Sequence, residues 1–333
     1  DLTEVVSSFI NNYMRPENGN AHYFYLGEKR NLRRKAHLSG LLSEICSRIY
    51  YRTPIINNES ITKNELPAVA IRSRTKILTG LLINDLSSNI GLTGNGQDVS
   101  IMRSTLIQTG ILKNVATNPV IEIAPPNDKM CVMLSEIKVF FSEKAAKKGG
   151  AEFQSLYDTL ISHKNGFGLK RGVIPIYIAA VLHQFKKNLV VLYCGNEVKI
   201  TPELLNDINE SPHNYAVILE DWNENKAIYM SQLENVFSKH IKEHEKAYNV
   251  FTYIFLAMNH WYLSLPKYSK EMTETYDSYG TNKTIDIANR KFINGLKQLD
   301  VNPREFLFEK VFSIYSNDGF NLSIVHCIAE TKT

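Results

Sequence analysis

Apolar residues recur along this chain mostly at helical spacing. Leu2, Val5, Val6, Phe9 and Ile10 share one face of residues 1–12, and Leu38, Leu41, Leu42, Ile45 and Ile49 form the stripe of residues 31–51. Over residues 66–86, Ala68, Val69, Ile71, Ile77, Leu78, Leu81 and Leu82 alternate with Arg72, Arg74 and Lys76. Three-and-four spacing of this kind gives a helix one face to bury. Further helices are expected over 98–109, 131–141, 152–161, 201–208, 226–240, 248–263, 285–299 and 303–315. Strand signals are few and short. Residues 111–123 read as two strands about Thr117-Asn118-Pro119, and 189–193 and 215–219 are β-branched or aromatic runs. Residues 22–26 suit either strand or loop. The pattern predicts a mostly α, α+β fold.

The chain is organised around residues 164–193. A glycine-rich basic turn (Gly166, Gly168, Lys170, Arg171, Gly172) enters a helix through Val173-Ile174-Pro175. Proline suits a first helical turn, where its missing N–H is not needed. Ile174, Tyr177, Ile178, Val181, Leu182 and Phe185 give the helix an apolar face, Lys186 and Lys187 close it, and the run ending at Tyr193 follows. Helix, short strand and basic turn are the parts of a winged-helix unit, and similar parts occur near 66–123. One or two winged-helix-like units are therefore expected. A basic, small-residue stretch at 144–150 suggests a boundary, giving domains at 1–145, 151–240 and 241–333.

A length of 333 residues allows a large core, and 44% hydrophobic with 22% charged residues marks a folded rather than disordered chain. The net charge of +4 permits nucleic-acid contact without requiring it. Cys46, Cys131, Cys194 and Cys327 form no CxxC pair and read as free thiols of a reducing cytoplasm. No apolar run approaches the ~20 residues of a membrane span. The chain begins at Asp1 rather than Met, which suggests an excised or processed piece.

Candidate chemistry is sparse. There is no GxxxxGK[ST] phosphate loop, and the 166–172 turn lacks the context of a dinucleotide fingerprint. That turn reads as one needing positive φ, or as a phosphate contact in which backbone N–H groups and Lys170 and Arg171 converge. The run Arg30–His37 reads as a solvated helix face, as a nucleic-acid contact, or as the Arg-and-His signature of HEPN-type ribonucleases. Asp128, Glu136 and Lys138 echo a D…ExK nuclease arrangement but lie at helical rather than strand spacing. His240 and His244 stand four apart amid lysines that disfavour a metal. Trp222, Trp261 and the tyrosines of 248–262 read as core. No catalytic residue, metal or cofactor is assigned.

Several blocks together resemble a region of large bacterial P-loop ATPases of anti-phage systems, the BREX ATPase and its relatives. They are Tyr51-Arg52-Thr53-Pro54-Ile55-Ile56-Asn57-Asn58-Glu59 with the helix after it, Ser100–Gly110, Gly166–Pro175, Thr201-Pro202-Glu203-Leu204-Leu205, Trp261…Leu265-Pro266-Lys267-Tyr268 and Leu307-Phe308-Glu309. Their order agrees over roughly residues 50–315. The resemblance implies a helical and winged-helix region downstream of the ATPase core, which grips DNA or docks other defence subunits. The ATP site is absent from this chain, so ATP hydrolysis would lie elsewhere.

The expectation is thus a non-catalytic, cytoplasmic DNA-binding or subunit-docking region of a defence ATPase, with double-stranded DNA and defence proteins as partners and no membrane. Lys170, Arg171, Lys186 and Lys187 are the first candidates for phosphate contact, and Arg33, Arg34, Arg72 and Arg74 the second. A protein-interaction module without nucleic-acid affinity is the alternative, exposing the apolar helix at 248–263 or the C-terminal helices. A ribonuclease using Arg30 and His37 is a third reading.

Overall fold

A computed structural model describes residues 1–83, 85–147, 149–185, 188–220, 222–247, 249–276, 282–297, 302–315 and 323–332. The first helix, α1 (Leu2–Tyr13), forms where the sequence places it. The Asp1 side chain accepts from the Thr3 N–H, and Glu4 completes a capping box. A hairpin follows, β1 (Tyr23–Tyr25) and β2 (Glu28–Arg30), turned by Leu26 and Gly27 at positive φ. Helix α2 (Lys35–Ile49) begins later than its apolar stripe suggests, because Arg34 is extended. Arg33 and Arg34 therefore precede the helix.

The body begins with α3 (Ala68–Leu82) and α4 (Gln97–Met102), the latter continued by a wider turn to Ile107. The expected short strand pair is β3 (Leu112–Lys113) and β4 (Val120–Ile121). Helix α5 (Asp128–Val139) is capped by the Asn127 side chain and runs on as a wide turn to Lys144. Next come β5 (Ala151–Glu152), α6 (Phe153–Ile161), α7 (Ile174–Phe185), β6 (Leu189–Tyr193), β7 (Asn196–Val198), α8 (Pro202–Glu210) and β8 (Tyr215–Leu219). The four strands form an antiparallel sheet in the order β5-β8-β6-β7. Within this part the elements run α5-β5-α6-α7-β6-β7, with β8 inserted between β5 and β6 in the sheet. Cys194 and Gly195, both at positive φ, make the tight turn between β6 and β7.

Alternation along β6 makes the sheet a septum between two cores. Leu189 and Val191 face a first core shared with α3 through α8, and Val190 faces a second. The second core is built by α9 (Glu224–Phe237), α10 (Val250–Ser264) and the elements after them. Of these, α12 (Ile287–Leu296), α14 (Val311–Tyr315), the turn before it and α15 (Ser323–Lys332) supply core residues, while α11 (Lys267–Glu271), the hairpin β9 (Glu274–Tyr276) and β10 (Asn282–Thr284) and α13 (Pro303–Glu305) connect them. The fold is mostly helical with small antiparallel sheets. No helix of the described residues is long and apolar enough to cross a membrane.

Burial divides the chain differently from composition. The 144–150 stretch is not a break, since Ala145 is fully buried and its carbonyl accepts the Leu219 N–H. Residues from Ile61 to Val217 share one core. Tyr229, Met230, Leu233 and Phe237 of α9 belong to the other, so the change of core falls near residue 220 rather than at 240. Glu220 marks that junction. It is 6% exposed and holds Lys226 Nζ at 2.6 Å and the Arg304 guanidinium. Burial alone would raise the Glu220 carboxyl, but Lys226 and Arg304 keep it below its ordinary range.

Candidate functional site

The glycine-rich turn before α7 is a socket filled from within the chain. Gly166 takes positive φ, as its sequence suggests. Gly172 does not, and is required for a different reason. A Cβ there would stand 2.1 Å from the Ile61 carbonyl oxygen and 2.8 Å from that of Lys63. Cβ atoms at Gly166 and Gly168 would strike the rings of Tyr51 and Tyr50. The backbone N–H groups expected to meet phosphate are occupied. Gly172 N–H donates to the Lys63 carbonyl, Leu169 N–H to the Leu160 carbonyl, and Arg171 N–H to Asn64 Oδ1.

The turn therefore grips residues 50–53. Arg52 N–H donates to the Gly166 carbonyl at 3.0 Å, its guanidinium lies 4.5 Å over the Phe167 ring, and it pairs with Glu136. Asn58 donates to Ser104 Oγ at 2.9 Å. The block at 51–59 thus touches both of the distant blocks at 100–110 and 166–175. Arg52 was not among the residues singled out from the sequence, although the block containing it was.

The candidate phosphate contacts separate by environment. Arg74 is 3% exposed, donating from Nε to Asn206 Oδ1 at 2.9 Å and from one terminal nitrogen to the Gly172 carbonyl at 3.1 Å. Burial lowers its pKa. It fastens the turn to α3 and α8 from inside and cannot reach a phosphate. Arg171 is half-buried over the Tyr157 ring and donates to the Asn209 carbonyl, on the wall of a cleft of about 400 Å³. Lys170, Arg72, Arg33 and Arg34 are exposed, and among the described residues none of them pairs with a carboxylate. Lys186 and Lys187 lie outside the described residues. Helix α7 carries no free face, because every residue from Ile174 to Leu182 is buried.

The nuclease readings gain no common cleft. Arg30 faces Glu44 at 3.6 Å and the Tyr25 ring, whereas His37 Nδ1 accepts the Arg33 N–H. Glu136 is engaged by Arg52. Among the described residues no three His, Cys, Asp or Glu side chains are placed to hold a metal.

The arm held by the socket is the unusual feature. From Leu2 to Ile49, Leu38 is the one buried hydrophobic residue among α1 and α2, and it belongs to neither core. Leu2 is 77% exposed, Phe9 55% and Tyr13 54%, with Val5, Val6 and Ile10 exposed beside them. No residue of α1 is buried on either face, and its C-terminal turn is what hydrogen-bonds to the chain around it. The Asn11 carbonyl accepts from Asn18 and Asn12 Oδ1 from Asn20, and the Tyr13 carbonyl accepts from the Tyr23 hydroxyl. A surface helix ordinarily turns its apolar side inward, and here that side is left bare. Meanwhile α10, the helix expected to offer an apolar patch, buries Phe251, Ile254, Phe255, Met258 and Trp261.

Against known proteins, no protein-family model, curated protein or solved structure matches the chain.

Proposed function

We propose that this chain is a non-catalytic docking region of a larger assembly, with residues 2–49 as the contact arm and the two-core body as its mount. The outward apolar face of α1 carries the reading. A 12-residue helix is marginal in water by itself, and six large side chains on one face give it stability only when something covers them. The socket at 166–172 fixes where the arm leaves the body. The sequence blocks that resemble BREX-type ATPases point to an anti-phage defence ATPase as the assembly.

A photo-reactive residue in place of Phe9 tests the reading. The expected result is one saturable polypeptide adduct that disappears when Val6 is changed to Asp; the absence of any adduct sensitive to Val6→Asp would overturn it. A second reading, contact with DNA phosphates, is favoured by Lys170, Arg72, Arg33 and Arg34, which are exposed and, among the described residues, pair with no carboxylate. Binding to labelled duplex across a salt series is then expected, and Lys170→Glu should lower the salt slope by about one. No binding at low salt would remove that reading.

A further inference from the structure

The apolar stripe of α1 is symmetric about a point between Ser7 and Ser8. Turned end for end about that point, Leu2 falls opposite Tyr13, Val5 opposite Ile10, and Val6 opposite Phe9. All six are exposed. A stripe with this property is its own complement in an antiparallel pair, which is what a two-fold interface requires. The charges do not oppose it. Asp1 and Glu4 stand at one end of the helix, where the Asp1 ammonium pairs with Glu4, and the exposed Arg15 and Glu17 follow the other. The same rotation brings Asp1 and Glu4 of one helix toward Arg15 of the next, and it also sets the two helix dipoles favourably. A parallel pair would set acid against acid.

The flanks of the stripe do not oppose close approach. Ser7, Ser8, Asn11 and Asn12 are uncharged, and the Asn12 side chain is already engaged by Asn20. The helix carries no lysine or arginine to recognise lipid headgroups.

We infer that α1 pairs antiparallel with α1 of a second copy of this chain. The inference deepens the docking reading and rests on it. The stripe offers several hundred Å² on each side, below the roughly 800 Å² per partner of a standard interface. The pair is therefore sought at tens of micromolar, and assembly of other subunits would reinforce it. Phe24 and Leu26 on the β1–β2 hairpin are 65% and 67% exposed and extend the apolar surface of the arm.

Cysteine pairing tests the geometry on the full chain, in a background where the exposed Cys46 and Cys194 are serine. Leu2→Cys and Tyr13→Cys are made separately. In the antiparallel pair residue 2 of one copy meets residue 13 of the other, whereas like residues are about 16 Å apart along the axis. Mixing the two variants under mild oxidation should give at least tenfold more disulfide dimer than either variant alone. Sedimentation equilibrium of the unmodified chain should show a dimer at tens of micromolar, and Val6→Asp with Phe9→Asp should return it to monomer without changing the melting temperature of the body. Preferential 2–2 and 13–13 disulfides, or a monomer at about 100 µM, would overturn self-pairing. If the chain is monomeric yet the position-9 photo-adduct forms with a different polypeptide, self-pairing fails and docking stands. If both are absent, both readings fall.

Discussion

Replacing Arg74 with methionine separates a structural cation from a phosphate contact. Methionine keeps most of the length and the apolar stem while removing every donor. Two acceptors lose a charged partner, the buried Gly172 carbonyl and the half-buried Asn206 amide oxygen. Hydrogen bonds to charged groups are worth about 1.5–3 kcal/mol each, and an orphaned buried acceptor alone costs about 1–3 kcal/mol. Relief of the guanidinium's own burial works in the other direction, and that burial is what lowers the Arg74 pKa. Asn206 still donates to Thr75 Oγ1 at 2.8 Å and its freed oxygen can meet water, so the Gly172 carbonyl dominates the loss. The net is a destabilisation of about 2–3 kcal/mol, or about 4–12 °C of melting temperature at the roughly 2–4 °C per kcal/mol of a unit of 150–250 residues. Differential scanning fluorimetry and urea titration read it directly. A melting temperature within 1 °C of the parent, together with weakened duplex binding, would show that Arg74 reaches phosphate after all.

Other substitutions probe other parts of the account. Gly172→Ala drives a methyl into the Ile61 carbonyl and should destabilise by about 1–3 kcal/mol; it should also speed proteolysis at residues 50–53, and a silent substitution would refute the close-approach argument. The Tyr177 hydroxyl is buried in α7 with no hydrogen-bond partner among the described residues, so Tyr177→Phe should leave stability unchanged or raise it by about 1 kcal/mol; a clear loss in thermal melting would reveal a bond this account lacks. Both carboxylate oxygens of Glu197 are buried, and burial pushes the group up to about 7 against the opposing pull of Arg304 and the Asn249 side chain. Because the folded value lies above the unfolded one, its contribution is present below about pH 4.5 and is lost as pH rises to about 7. Glu197→Gln should therefore flatten the pH dependence in that window and stabilise the chain at pH 8; urea midpoints measured at pH 5 and pH 8 check this, and identical slopes in the two proteins would contradict it.

The helices were legible because their apolar residues keep the helical period, and α9, α10 and α12 fall close to the expected ranges. Stripe reading is weaker on what covers a stripe. Periodicity identified the face of α1 that seeks burial, but nothing local says that the chain itself leaves it bare. On α3 the two arginines look alike in composition, yet Arg74 lies in the 70-74-77-78-81 series with Ala70, Ile77, Leu78 and Leu81, all buried, and that spacing was the available sign of an interior role. Gly172 could not be read correctly in isolation, because the atom that excludes a side chain belongs to Ile61, over a hundred residues away. Very short strands such as β5 and β7 carry too few residues for a period-two signal, and α15 follows the last helix that the pattern proposed.

Hydrogen exchange along α1 in the full chain, followed as a function of protein concentration, tests the docking arm most directly. The account predicts that amides of residues 4–13 exchange rapidly in dilute solution and become protected at tens of micromolar, with the body unchanged and Val6→Asp abolishing the gain. An α1 that is strongly protected at every concentration and indifferent to Val6→Asp would mean that the helix needs no cover, and would contradict the account.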